Sequence, residues 1–294
     1  MTDGKRVQGV VQFDEVGRSK STLISFPRSS AMCLILLSWR AHLEYPIIIA
    51  ANRDEAYDRP SAAAGFWPNA PDVFGGRDLE KGGTWLGLAR SGRLAAVTNY
   101  RETPAVRNAP HSRGELTARF LRGSDDPRSY ADQVSRSGSR YAAFSLIVGN
   151  SESLWCYSNR GGGIAEVAPG VHGLSNHLID TPWNKVASGK QRLAELLCAD
   201  EPRVTSGLFD ILLDRTPARD ADLPDTGVGR QRERELSPSF IAGDRYGTRA
   251  STVVLISRKR EVLFIERAFG HGGAPLGATE LRFALAPSST AAKS

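Results

Sequence analysis

The fold class this chain predicts is α+β, with mainly antiparallel sheets covered by helices, and three observations predict it. Strand-like segments come first, helix-like segments follow, and strands return towards the end. Many strands are sequential neighbours separated by turn residues, as hairpins require. The regular βαβ alternation of a doubly wound nucleotide fold is missing, and so are G-x-G-x-x-G and G-x-x-x-x-G-K-[ST].

The first 31 residues carry five bases (Lys5, Arg6, Arg18, Lys20, Arg28), three acids and no sustained period of 2 or 3.6. They are expected to be an extension ahead of the ordered domain, from an over-called start, with a removable propeptide or a flexible arm as alternatives. At Met32 the character changes. The apolar runs Cys33–Leu37 and Ile47–Ala51, separated by a polar stretch ending in Tyr45-Pro46, read as two strands of a hairpin. From Ala62 to Gly83 Pro68, Pro71, Gly75, Gly76, Gly82 and Gly83 suggest a loop-rich region. Thr84–Ala89 and Arg93–Asn99 then form a strand pair turned at Ser91-Gly92.

Helical spacing follows over Ser112–Leu121, where Leu116, Phe120 and Leu121 share a side and Ser112 is placed as N-cap. A second helix is expected after Asp126-Pro127. Strands Ala143–Gly149 and Ser153–Ser158 precede a break at Gly161–Gly163, and helices are expected over Asn184–Cys198 and Thr205–Leu213. Pro217 through Asp244 reads as a long polar loop. Ser251–Ser257 and Glu261–Arg267 close the fold, so the domain is expected to span 32–285, with 286–294 a frayed tail.

With 294 residues, 40% hydrophobic and 24% charged, the chain has globular composition and enough length for a core without disulfides. A net charge of +6 is mild for that length and names no polyanionic partner. Arg230, Arg232 and Arg234 alternate with Glu233 and Glu235, and Arg258-Lys259-Arg260 is a hairpin turn, so nucleic-acid binding is not expected. Apolar runs such as Cys33–Leu37 and Ile47–Ala51 fall far short of the roughly 20 residues that cross a bilayer, and residues 1–31 lack the apolar stretch of a secretory signal. The expected compartment is therefore the cytoplasm. Cys33, Cys156 and Cys198 are widely separated and no CxxC or H-E-x-x-H occurs, so neither a disulfide framework, a metal site nor a cofactor is expected. Ser175 lacks the G-x-S-x-G elbow, which argues against a serine hydrolase. Nothing in the sequence specifies an oligomer.

Chemistry concentrates at Cys33. If the chain began there, one residue would carry both a thiol and a free α-amine, whose unperturbed pKa values of roughly 8.5 and 7.7–8.0 let the amine take the thiol proton near neutrality. The plainer reading is a buried strand residue. Asn52-Arg53-Asp54-Glu55 follows the second apolar run and reads either as a solvated loop or as a strand end returned beside Cys33. In the second case Asp54 orients the amine or thiol and Arg53 favours the thiolate. Asn99 and Asn176 are either turn formers or neutral donors to a developing oxyanion.

Met32-Cys33, Ala51-Asn52-Arg53-Asp54-Glu55, Gly82-Gly83-Thr84-Trp85-Leu86-Gly87, Thr98-Asn99-Tyr100-Arg101, Gly173-Leu174-Ser175-Asn176, Leu223-Pro224-Asp225-Thr226-Gly227 and Tyr246-Gly247-Thr248-Arg249 resemble, in order, the motifs of the NRDE family, also called the transport and Golgi organization protein 2 family. That family is similar in pattern to the N-terminal-nucleophile (Ntn) hydrolases, especially the cysteine amidases. The resemblance implies a four-layer αββα sandwich with two mainly antiparallel sheets. It implies Cys33 as nucleophile, Asp54 as the aspartate contacting it, Asn176 as an oxyanion asparagine and Arg249 as an arginine near the thiolate. In the amidases an arginine precedes the motif's asparagine, whereas here Ala51 holds that place and Arg53 follows Asn52. Asn99 matches the other oxyanion asparagine only weakly.

Two functions follow as expectations. The first is an amidohydrolase cleaving a linear carbon–nitrogen bond of a small molecule. The second, also implied by the resemblance, is a non-catalytic binding or transfer protein on the same scaffold, serving haem trafficking or secretory-pathway organisation. His172 and His177, five apart around Ser175, are its candidate haem ligands.

Overall fold

A computed structural model describes residues 33–104 and 109–287. The expected extension over 1–31, Met32 and the tail from residue 288 lie outside the described residues. Seven strands pair in chain order in one antiparallel sheet: β3 (Ser61–Trp67), β4 (Ala70–Asp78), β5 (Leu86–Ala89), β6 (Leu94–Asn99), β7 (Phe144–Gly149), β8 (Leu154–Ser158) and β9 (Ile164–Glu166). Six strands form the other, in the order β10 (Gly170–Leu174), β1 (Cys33–Trp39), β2 (Ile47–Ala56), β11 (Tyr246–Ile256), β12 (Glu261–Phe269), β13 (Pro275–Ala284), again antiparallel throughout.

Side-chain alternation assembles the layers. In β1 and β2, Ile35, Leu37, Ile47, Ile49 and Ala51 face Leu86, Leu88 and Leu94 of the other sheet. On the opposite face Leu34, Leu36, Ile48 and Ala50 meet Val186 and Leu193 of α3 (Asn184–Glu195) and Leu208 and Phe209 of α4 (Glu201–Leu212). Burial on both faces explains why these strands read as continuous apolar runs instead of alternating ones. The seven-stranded sheet packs Val73, Val97 and Leu146 against Leu116 and Phe120 of α1 (Arg113–Arg122) and Tyr130 and Val134 of α2 (Pro127–Ser137). The result is helix, sheet, sheet, helix.

The structure departs from the sequence expectation in several places. Ala62–Gly83 is no loop; it carries β3 and β4. Pro71 has no register partner, because the β3–β4 pairing is irregular between Phe66 and Trp67 and β4 meets β5 only at Val73 and Phe74. Its missing N–H therefore interrupts no ladder bond. The segment Pro217–Asp244 contains a helix, α5 (Arg230–Glu235), held by buried Glu233, which accepts from Arg101 and from Thr226. Ser112 stands at the N-cap of α1 but makes no side-chain cap, while Asp126 does cap α2 by accepting from Ser129 N–H at 3.0 Å. Ala286 is also bound, donating to Arg90 O at 2.7 Å and accepting from Arg260.

One backbone approach ties α1 to the sheet. A Cβ on Gly83 would lie 2.4 Å from the carbonyl carbon and oxygen of Gly114, and Thr84 N–H donates to that same oxygen at 3.2 Å. Gly83→Ala is expected to lower stability by about 3 kcal/mol, the upper range for overpacking, since backbone cannot swing aside as a side chain can. Urea unfolding of the two chains checks this, and an unchanged midpoint would show that the contact yields.

Candidate active site

A cavity of about 680 Å³ opens at the ends of β1, β2 and β11, and its walls include Cys33, Arg53, Asp54, Asn99 and Arg249. The hairpin that places them extends further than the apolar run suggested. β2 continues through Asn52-Arg53-Asp54-Glu55, because β11 pairs with it as far as Tyr246 opposite Ala56, and it sets Arg53 directly opposite Cys33. The polar tetrapeptide is thus strand, not loop.

Cys33 is the first residue of β1 and is buried. Its N–H donates to Asn176 Oδ1 at 3.0 Å, and its carbonyl accepts from Ser175 Oγ at 2.9 Å. Burial, with the charge of Asp54 behind it, pushes the thiol up to about 12, while the Asp54 N–H and Arg53 pull the other way. Arg53 thus acts in the direction expected of it, towards the thiolate, but in this form of the chain loss of solvent outweighs one guanidinium. A positive charge on the Cys33 nitrogen itself would act in the missing direction.

Asp54 is fully buried, and its Oδ1 accepts from Thr248 Oγ1 at 2.7 Å. Its Oδ2 has no hydrogen-bond partner among the described residues. Burial raises the carboxyl to about 7 against the opposing pull of Lys185, Thr248 and Arg53. Lys185, near the start of α3, is 3% exposed and donates to Leu236 O at 3.0 Å; burial lowers its ammonium to about 8, with Asp54 opposing. Thr248 Oγ1 also accepts from Ile241 N–H, and Asn52 Nδ2 donates to Ser239 O and Leu212 O. The strap over 236–241 is consequently stitched to the sheet directly behind Asp54.

Asn176 has φ +53° at the turn after β10. Besides holding the Cys33 nitrogen, its Nδ2 donates to Asn99 O at 3.0 Å, and it is not in the cavity wall. Asn176 thus bridges two main chains and holds the Cys33 nitrogen. Asn99, the weaker match, is the asparagine that lines the cavity. Arg249 sits in a β-bulge between Thr248 and Ala250, and its Nη1 donates to the carbonyls of Ala56 and Arg59. Its guanidinium thereby fastens the end of β2 in the cavity wall it shares with Cys33; burial and the charge of Arg53 lower its pKa.

Two further cavity residues have no sequence motif. Arg113, first residue of α1, donates to Ala143 O at 3.0 Å; burial lowers it to about 10, opposed by Glu55 and Cys33. Glu266 of β12 is 6% exposed and burial raises its carboxyl. The histidines proposed for haem lie elsewhere. Both nitrogens of His172 are engaged, by Asp180 and Ala168 O, and both of His177, by Tyr100 and Thr181. No helix among the described residues is long and apolar enough to cross a membrane.

Residues 32–271 match the profile of the family described as Transport and Golgi organisation 2. The chain is 40% identical over 240 residues to the Transport and Golgi organization protein 2 homolog of Bos taurus, spanning 76% of this chain and 87% of that protein. To the human homolog it is 37% identical over 240 residues, with the same coverage. Among solved structures it is similar to the N-acylethanolamine-hydrolyzing acid amidase ortholog of Caenorhabditis elegans, with 13% identity, a TM-score of 0.44, and coverage of 76% of this chain and 92% of that one.

Proposed function

The chain belongs to the Transport and Golgi organisation 2 family, and from that premise and the site geometry we propose that it is a cysteine amidohydrolase of the N-terminal-nucleophile type, acting on a linear amide bond. The observation that carries the reading is the position of Cys33: at the cavity wall, directly opposite Arg53, with its nitrogen held 3.0 Å from Asn176 Oδ1. Once the Met32–Cys33 peptide bond is cleaved, that nitrogen becomes an α-amine. The amine accepts the thiol proton, and the resulting ammonium brings the thiol down from its buried value.

Cys33 Sγ then attacks the amide carbonyl, forming a carbon–sulfur bond as the carbonyl electrons move to oxygen. Asn99, facing the cavity, donates to the oxyanion with a backbone N–H. The ammonium returns its proton to the departing amine nitrogen as the carbon–nitrogen bond breaks. Water, deprotonated by the same amine, attacks the thioester and frees the acid and the thiol. Asp54 keeps the amine oriented, and Arg53 supports the thiolate.

Mass spectrometry of the mature N-terminus, alongside turnover of a panel of N-acyl amides, tests this. Amidase activity confined to chains beginning at Cys33 is the expected result. Active protein that retains residues ahead of Cys33 would overturn it.

A further inference from the structure

One motif of the sequence, Leu223-Pro224-Asp225-Thr226-Gly227, has no part in the mechanism and no residue in the cavity wall. It leads into α5, and α5 turns Glu233 back upon it. Glu233 Oε1 accepts from Thr226 N–H at 3.0 Å and from Thr226 Oγ1. The other oxygen, Oε2, accepts from Arg101 Nη1. Both side chains of this ion pair are withdrawn from solvent, and the guanidinium lies over the Trp183 ring, 4.5 Å from its centroid. Two apolar side chains of similar volume often hold such a contact as firmly, because a buried pair repays little more than its desolvation. What the pair adds is direction: a planar guanidinium bonded to a carboxylate and stacked on an indole has little freedom to turn.

Arg101 stands two residues past β6, and the main chain there grips Asn176 at two points. Arg101 N–H donates to Asn176 O at 2.8 Å, and Asn99 O accepts from Asn176 Nδ2 at 3.0 Å. The remaining side-chain atom of that asparagine, Oδ1, is the acceptor of the Cys33 N–H. A continuous path of bonds therefore runs from the 223–227 loop, through one buried ion pair and one asparagine, to the nitrogen of residue 33. Neither Arg101 nor Glu233 lines the cavity, so neither touches a bound substrate.

We infer that Glu233 is a positioning residue: it fixes Arg101 and, through the grip of residues 99 and 101 on Asn176, sets where the Cys33 nitrogen lies. The catalytic consequence rests on the amidohydrolase reading, in which that nitrogen is the base, but the positioning itself is read without turnover. With nitrogen-15 confined to cysteine, the full chain has three labelled amides, and that of Cys156, in the other sheet, reports global opening. In Glu233→Gln, hydrogen exchange at Cys33 is expected to quicken about tenfold relative to Cys156, since one amide cannot serve both the guanidinium and Thr226. In Thr226→Val, which keeps the ion pair and so protects the fold, the expected change is about threefold. In chains that begin at Cys33, Glu233→Gln should lower kcat about tenfold and leave KM within about twofold. A Cys33 amide unprotected in the native chain, unchanged in both variants, or accelerated only in step with Cys156 overturns the positioning role. Selective acceleration in protein that hydrolyses no amide keeps the role and counts against the amidase; unchanged exchange with turnover intact does the reverse.

Discussion

Replacing Cys33 by alanine is expected to lower amide turnover by about 10³-fold or more while the protein stays folded, because in the proposed mechanism the thiol forms the covalent bond. The fold survives for a structural reason. The bonds to Asn176 and Ser175 are made by the main chain of residue 33, so they persist when the sulfur is removed. Iodoacetamide labelling supplies a second reading. With residues ahead of Cys33 in place, its thiol sits near 12, so labelling at neutral pH is slow and rises steeply with alkali. In a chain beginning at Cys33 the added ammonium moves that rise to lower pH. Identical labelling profiles in the two chains, or turnover retained by Cys33→Ala, would remove the nucleophile from the mechanism.

The second large effect is expected at Lys185. Lys185→Met leaves Asp54 buried without its cation and unstitches Leu236, and should cost about 3–5 kcal/mol near neutral pH. The pH dependence has a defined sign. Asp54 titrates near 7 in the folded chain against an ordinary 3.8, so between those values the folded state holds a proton that the unfolded state has lost, and stability falls as pH rises. Lys185 titrates near 8 against 10.5, so in that higher window the unfolded state holds the extra proton and stability climbs with pH. The pair's contribution is therefore lowest between about 7 and 8. Asp54→Asn should flatten the acidic limb, and Lys185→Met should erase the alkaline one. Urea unfolding at pH 5, 7.5 and 9.5 reads both; a Lys185→Met chain within about 1 kcal/mol of native at pH 7.5 would mean that the lysine is a bystander.

The strands of the β1–β2 hairpin were legible because they are buried on both faces, which leaves a run no turn chemistry can mimic. β3 and β4 were not, because Pro68 stands in their turn, Pro71 has no register partner and the pairing shifts register twice. At the site, Cys33, Arg53, Asp54, Asn99 and Arg249 were found through residue type and order and do share one cavity. Asn176 was found, but its orientation depends on a turn that periodicity does not encode.

The missed groups did leave traces. Arg113 and Lys185 each stand in the first turn of a helix, where a cation opposes the helix dipole. Such a placement signals that something else holds the charge. Glu266 interrupts the inward stripe Val262, Phe264, where a carboxylate is costly unless bonded. These contradictions of local preference pointed to the site as directly as its motifs did.

The two sheets differ in how their neighbours are joined, and this bears on when the pocket exists during synthesis. The seven-stranded sheet is a meander in which each strand meets its successor, whereas Asp54 waits for Thr248, 194 residues later. A ribosome therefore releases a complete meander while β2, the strand bearing Asp54, still lacks β11 on one flank. Any maturation at residue 33 that needs the assembled pocket is confined to the interval after β11 emerges, which ties exposure of the reactive sulfur to completion of the polypeptide.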